Sequence, residues 1–210
     1  MRLHSSGLAL ALPLIIFGAV CAAAHAQTDA AVSFFGAFGS TSNYNGGLEH
    51  QRPADAAGGM FELRHISNPL VGFEATYSFN RANQVYSYTG PTPVGPPGPY
   101  VDSVSANAHE ITGDWLFSAH AANLRPFALA GVGLLLTEPA SAPTNVNTSN
   151  SNELVYVYGA GLDWRLRPRL GLRFQYRGNV YKAPSITTSY GTGGAFTHAA
   201  EPMIGAYFRF

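Results

Sequence analysis

From residue 27 onward, apolar and polar residues alternate at every second position in eight separate segments. The clearest is the seventh, Leu170 to Arg177. Leu170, Leu172, Phe174 and Tyr176 fall on one side, and Gly171, Arg173, Gln175 and Arg177 on the other. Only an extended strand sorts residues this way, because a helical period would mix the two sets. The third segment sets Val71, Phe73, Ala75, Tyr77 and Phe79 against Gly72, Glu74, Thr76, Ser78 and Asn80. The sixth sets Leu154, Tyr156, Tyr158, Ala160, Leu162 and Trp164 against Val155, Val157, Gly159, Gly161, Asp163 and Arg165. Each approaches the roughly ten residues that a tilted strand needs to cross a bilayer.

The second segment, near Ala57–His65, places Phe61 and Leu63 opposite Glu62 and Arg64. The fourth, near Ala106–Phe117, places Ile111, Trp115 and Phe117 opposite Glu110, Thr112 and Asp114. Its upstream Val104-Ser105-Ala106 suggests the opposite phase, which calls for a bulge or an extension beyond the membrane. In the last segment Ala206, Phe208 and Phe210 share one face, and Gly205, Tyr207 and Arg209 the other. The first (about Val32–Ser40) and fifth (Pro126–Leu136) carry small or apolar residues on both faces, so their register is not set by the pattern.

Connections then give the topology. Ser67-Asn68-Pro69, Ser118–Asn123 and Arg167-Pro168 are short, whereas Thr41–Asp55, Arg81–Tyr100, Glu138–Asn152 and Lys182–Phe196 are long. Strict alternation of short and long predicts an all-β fold: an eight-stranded antiparallel up-and-down transmembrane β-barrel. Its short turns would be periplasmic and its four long loops extracellular. The proline-rich stretch Thr89–Pro99 lacks backbone donors and is expected to stay outside the sheet and be mobile.

Charges test this phase. Glu62, Glu74, Glu110, Asp114, Asp163 and Glu201 point inward, as do Arg64, Arg165, Arg173, Arg177 and Arg209, and none of the assigned outward positions is charged. An Arg facing lipid at mid-membrane would cost about 2–4 kcal/mol. Six acids against five Arg predict a neutralised lumen of paired charges, filled because eight strands enclose only their own side chains. A proton or ion path is the sharper alternative.

Arg2, the apolar run Leu8–Val20 and Ala24-His25-Ala26 read as a secretory signal removed after Ala26. That leaves residues 27–210 as one barrel domain without cysteine. Composition fits a barrel, with 46% hydrophobic and only 11% charged residues and no later apolar run near 18 residues. Without Arg2 the balance is near −1, which argues against a nucleic-acid partner.

With these residues in hand, the chain resembles the outer membrane protein β-barrel domain family of small OmpA/OmpX-type barrels. Arg125–Gly133 is similar to that family's fifth strand, and Gly159–Trp164 with Leu170–Arg173 resembles its sixth and seventh. Gly205, Phe208 and Phe210 resemble the C-terminal signal that recruits such barrels to their insertion machinery, with Met203 where that signal has a polar residue. The resemblance implies residence in the bacterial outer membrane, contact with lipid and lipopolysaccharide, and recruitment through the last strand. Ending at Phe210, the chain is expected to lack the peptidoglycan-binding domain of some relatives.

Candidate chemistry is sparse. His65-Ile66-Ser67-Asn68 resembles the His-x-Ser pair with following Asn of an outer-membrane lipid A deacylase, with Glu74 as the assisting acid. It lies early, at a turn, where that enzyme carries its motif late. No catalytic, cofactor or metal residue is expected; the histidines are scattered, and Gly131-x-Gly133 and Gly159-x-Gly161 lack the helix of a nucleotide cradle. The favoured reading is a non-enzymatic barrel with a structural envelope role, whose loops display contacts for a surface partner. An adhesin, with Tyr86, Tyr88 and Tyr100 as contact residues, a lipid A-modifying enzyme and a narrow pore stay open beside it.

Overall fold

The computed structural model describes residues 27–68, 70–90, 100–144, 146–187 and 194–210. The predicted signal and the proline-rich stretch from Pro91 to Pro99 lie outside the described residues, as does the side chain of Tyr100. Among the described residues eleven strands form: β1 (Gln27–Gly39), β2 (Ser42–Tyr44), β3 (Glu49–Pro53), β4 (Ala56–Ile66), β5 (Val71–Arg81), β6 (Gln84–Tyr88), β7 (Tyr100–Ser118), β8 (Leu124–Ser141), β9 (Ser151–Arg165), β10 (Leu170–Lys182) and β11 (Phe196–Arg209).

Eight of them close a barrel in the order β1-β4-β5-β7-β8-β9-β10-β11, with β11 pairing back onto β1 and β7 pairing β8. Every pairing is antiparallel. Closure removes the free edges that an open sheet would expose to lipid. At one end the strands are joined by tight turns. There the Asn68 side chain accepts from the backbone N–H of Leu70 and Val71, both at 2.9 Å, an Asx-type turn.

At the other end the wall continues. β2, β3, β6 and the first residues of β7 form a four-stranded extension, with Ser42 opposite Gln51, Gln51 opposite Tyr86 and Tyr86 opposite Asp102. The first two long connections are therefore partly strand, contrary to their reading as loops. No dyad signal marked them because Gln51 and Gln84 face inward and meet in a 3.0 Å hydrogen bond, so both faces read as polar. The expected irregularity in the fourth segment is present as a register shift between Ser105 and Ala106. Val104 and Ala106 nevertheless stay on the inner face, fully buried, where they pack with Tyr86 and Ile186.

The exterior is oily. Phe34, Phe61, Ile111, Val132, Leu134 and Ile204 are all at least half exposed, a state that only a hydrocarbon surrounding makes favourable over so wide a surface. Phe73, Trp115, Phe117, Trp164, Phe208 and Phe210 ring the turn end, and Tyr77, Phe79, Tyr156 and Tyr158 ring the loop end. Between these rims no outward-facing Asp, Glu, Lys or Arg occurs among the described residues; exposed Arg81, Glu138 and Lys182 sit at the loop end. β1 and β8, whose register the pattern left open, fall into line: Val32, Phe34 and Phe38 face out, and Ser33, Phe35 and Ala37 face in.

Inward-facing glycines let strands and large side chains approach. A Cβ on Gly133 would lie 2.1 Å from the Ile111 carbonyl oxygen of the neighbouring strand, which cannot retreat without breaking the ladder. Gly133→Ala is expected to lower the stability of the folded barrel by about 1–3 kcal/mol. The urea midpoint in detergent would register the loss, and an unchanged midpoint would refute this close approach.

Candidate functional site in the barrel lumen

Alternation delivers one face of each barrel strand to the interior, and among the described residues eleven charged side chains are buried there. They are Asp29, Glu62, Glu74, Glu110, Asp114, Asp163 and Glu201, with Arg64, Arg125, Arg173 and Arg177. Nine of these were assigned to the lumen from sequence. Asp29 and Arg125 were not, because they lie just before the two segments without a clear phase, in stretches that the strands β1 and β8 also take up. Extending the outward spacing of Val32, Phe34 and Phe38 backwards would have placed Asp29 inside, but the inward Phe35 masks that signal.

Two sequence assignments are corrected. Arg165 is exposed at the turn end, where it donates to Asn123 Oδ1 at 3.0 Å and not to a lumen acid. Its alternation is as expected, but the strand ends there and the side chain reaches solvent. Arg209, on the same rim, is only half-buried, so the lumen is not the near-neutral mixture that six acids and five Arg implied.

Near the turn end, three guanidiniums interlock. Arg173 donates through Nε to Asp163 Oδ1 at 2.8 Å and through Nη2 to Asp29 at 3.3 Å, and its Nη1 pairs with Glu62. Arg64 holds Glu74 through two donors and Asp163 through Nη1 at 3.0 Å. Arg125 lies 3.2 Å from Asp163. The Arg64 guanidinium also sits 4.3 Å above the Phe127 ring, so an apolar side chain completes the packing of a charge. Ser33 donates to Glu62. Arg64, Arg173 and Ser33 thus reach all four carboxylates of the cluster, the condition under which buried ions are tolerable. Glu74 Oε1 and Arg125 Nη2, by contrast, make ion-pair contacts without a hydrogen bond.

Higher up, Arg177 donates to Asp114 Oδ2 at 2.9 Å and to Thr112 at 3.0 Å. Above it lies a cavity of about 30 Å³, lined among others by Glu110, Thr137, Asn179, Tyr181 and Glu201. The mouth is then closed. Tyr86, Val104, Ala106 and Ile186 form a buried apolar cluster, and the backbone at Pro184 accepts from Gln51 Nε2 at 2.9 Å. The segment from Ala183 to Thr187 therefore folds inward as a lid. Burial pushes the Tyr86 phenol above its ordinary value, with nearby Tyr44 adding to the rise, so it remains a hydrogen-bond donor beneath the lid.

This geometry corrects the contact assignment of Tyr86, which is 1% exposed and faces inward. Tyr88, half-buried on β6, stays near the surface. The His-x-Ser pair is not assembled into a site. Exposed His65 is hydrogen-bonded to Thr28 at 3.1 Å on the outer face, Ile66 points inward, and Asn68 is committed to its turn. At the last strand, Phe208 and Phe210 face outward with rings 5.5 Å apart edge to face, and Gly205 lies against Ser33.

A closed eight-stranded barrel with an oily belt and a charged interior is the fold of the small outer-membrane barrels. Solved structures of that kind are similar to this chain. Neisserial surface protein A matches with a TM-score of 0.58 at 14% identity, covering 88% of this chain and 99% of that one. Pseudomonas aeruginosa OprG matches with 0.58 at 11% identity, covering 89% and 97%. Yersinia pestis Ail, solved with the heparin analogue sucrose octasulfate, matches with 0.53 at 13% identity, covering 88% and 99%. At such identities the likeness is one of fold. No protein-family model and no curated protein matches the sequence.

Proposed function

We propose that this chain is a non-enzymatic integral protein of the bacterial outer membrane. It is exported by a signal cleaved after Ala26, inserted through its last strand, and serves as a structural barrel that displays a rigid surface platform. The observation that carries the reading is the pairing of an uncharged aromatic-rimmed belt with a lumen packed shut by ion pairs. Lipid and lipopolysaccharide are the partners of the belt, the turn end faces the periplasm and the loop end faces outward. Gly205, Phe208 and Phe210 are the contact with the insertion machinery.

The lid and the filled lumen oppose the pore reading. The full chain, expressed in a Gram-negative host, should be recovered from the outer-membrane fraction with Gln27 as its first residue and show heat-dependent gel mobility. In proteoliposomes it should pass small solutes no faster than protein-free vesicles do. Flux well above that control, or recovery as a soluble protein, refutes the proposal.

A surface-interaction role is the second reading. It is favoured by the paired β2–β3–β6 extension, where His50, Arg52 and Ser87, with Asp55 just beyond β3, line an open groove. Tyr88 is the one described tyrosine of the original three that remains a candidate contact there.

A further inference from the structure

The buried charges of the lumen do not balance, and the imbalance has a location. Seven carboxylates face four guanidiniums. Toward the turn end the ratio is near parity, with Asp29, Glu62, Glu74 and Asp163 gathered around Arg64, Arg125 and Arg173. Toward the loop end Asp114, Glu110 and Glu201 share Arg177 alone, an excess of two negative charges. Arg177 is already committed to Asp114 and Thr112, and its Nη2 stays 3.8 Å from Glu110 Oε1, beyond hydrogen-bond reach.

The neutral groups beside these acids point the same way. Thr137 and Asn179 are each 1% exposed and line the small cavity with Glu110 and Glu201. Asn179 spends its amide N–H on Glu110 Oε2 at 3.0 Å, which turns its Oδ1 into an acceptor without a donor. Glu110 Oε1, Glu201 Oε2 and Thr137 Oγ1 are likewise buried without a hydrogen-bond partner. Four oxygens from four strands, β7, β8, β10 and β11, thus belong to residues that line one small cavity, each without a hydrogen-bond partner. Orphaned buried acceptors are costly unless a ligand satisfies them.

We propose that Glu110, Glu201, Asn179 Oδ1 and Thr137 Oγ1 bind one hard divalent cation, of which calcium is the best match, inside the outer half of the barrel. Two carboxylates, an amide oxygen and a hydroxyl supply four of the roughly six to eight irregularly placed oxygens that calcium accepts. The second carboxylate oxygens and a water complete the shell, whereas magnesium demands a regular octahedron and retains more water. The cavity of about 30 Å³ leaves room for little beyond the ion and a water. Two charges on the ion match the local excess. The carboxylates need their neutral companions to complete the set, since no group of three His, Cys, Asp or Glu side chains suited to a metal occurs among the described residues. Entry is from the loop end, when the segment at Pro184 lifts away from Gln51.

The test uses barrel purified in detergent from membranes of cells expressing the full chain, stripped by chelator and checked for heat-dependent mobility. Titration calorimetry with calcium chloride should give saturable binding of one ion per chain, and the temperature of conversion to the unfolded gel form should rise with calcium. Both effects should be lost in the double variant Glu110→Gln/Glu201→Gln and kept in the surface variant Glu138→Gln. Thr137→Val, which keeps the side-chain shape, should fold and bind more weakly, so the proposal stands or falls even where the double variant fails to fold. Absence of saturable binding in folded wild type means that shared protons balance the glutamates, and overturns the cation site. Binding that survives in the double variant lies on the surface and overturns it equally. Failure of the heat-dependent mobility itself would instead count against the membrane-barrel reading.

Discussion

Arg173→Ala is expected to destabilise the folded barrel by about 3–5 kcal/mol, the usual cost of removing one partner from a buried charge cluster. Arg173 is fully buried and contacts Asp29, Glu62 and Asp163 from a single guanidinium. Truncation leaves three carboxylates without that counter-charge, in a lumen that already carries more acids than bases. Arg173→Lys should recover only part of the loss, because an ammonium restores charge but not the planar fork that reaches several acids. Arg52→Ala is the contrast. Its ion pair with Asp55 is about half exposed on both sides, and its removal should cost at most about 1 kcal/mol. Urea titrations of the three variants in detergent, read by gel mobility and circular dichroism, give the comparison. Equal losses for Arg173→Ala and Arg52→Ala would show that the lumen cluster is not what holds the barrel together.

The second large effect concerns the outer face. Ile204 is 52% exposed and sits between Phe34 on β1 and Phe174 on β10, well inside both aromatic rims. Ile204→Arg places a guanidinium in hydrocarbon and should cost about 2–4 kcal/mol, enough to depress insertion. Gln175→Arg introduces the same group on the opposite face, two strand positions from Arg173 and Arg177, into a lumen with surplus carboxylates. The Gln175 amide is buried with neither atom hydrogen-bonded, so little is lost by replacing it. Membrane-integrated yield of the first variant should fall far below that of the second. Similar yields would mean that the inner and outer faces of β10 and β11 are not exposed to different solvents.

Those two experiments also mark what was legible in the residues. Period-two alternation identified inner and outer faces for β4, β5, β9, β10 and β11, since Phe174 against Arg173 leaves no ambiguity. β1 and β8 were opaque because Phe35, Phe127 and Leu129 face inward. A lumen that uses aromatic rings to pack guanidiniums, as Phe127 does with Arg64, gives no hydrophobic contrast between faces. Arg125 and Asp29 were missed for that reason, and with them the true charge balance. Arg165 was assigned too deep because alternation reports which side a residue faces, not how far along the barrel the side chain lies.

The primary structure alone determined the fold class, the number and direction of membrane strands and the separation of oily from charged faces. These are local properties, written every second residue. The inward lid at Pro184, the strand extension that takes up Tyr86, and the meeting of Glu110, Thr137, Asn179 and Glu201 from four strands were decided only in three dimensions. Each depends on how registers combine around a closed circle, and no interval along a single chain encodes that sum.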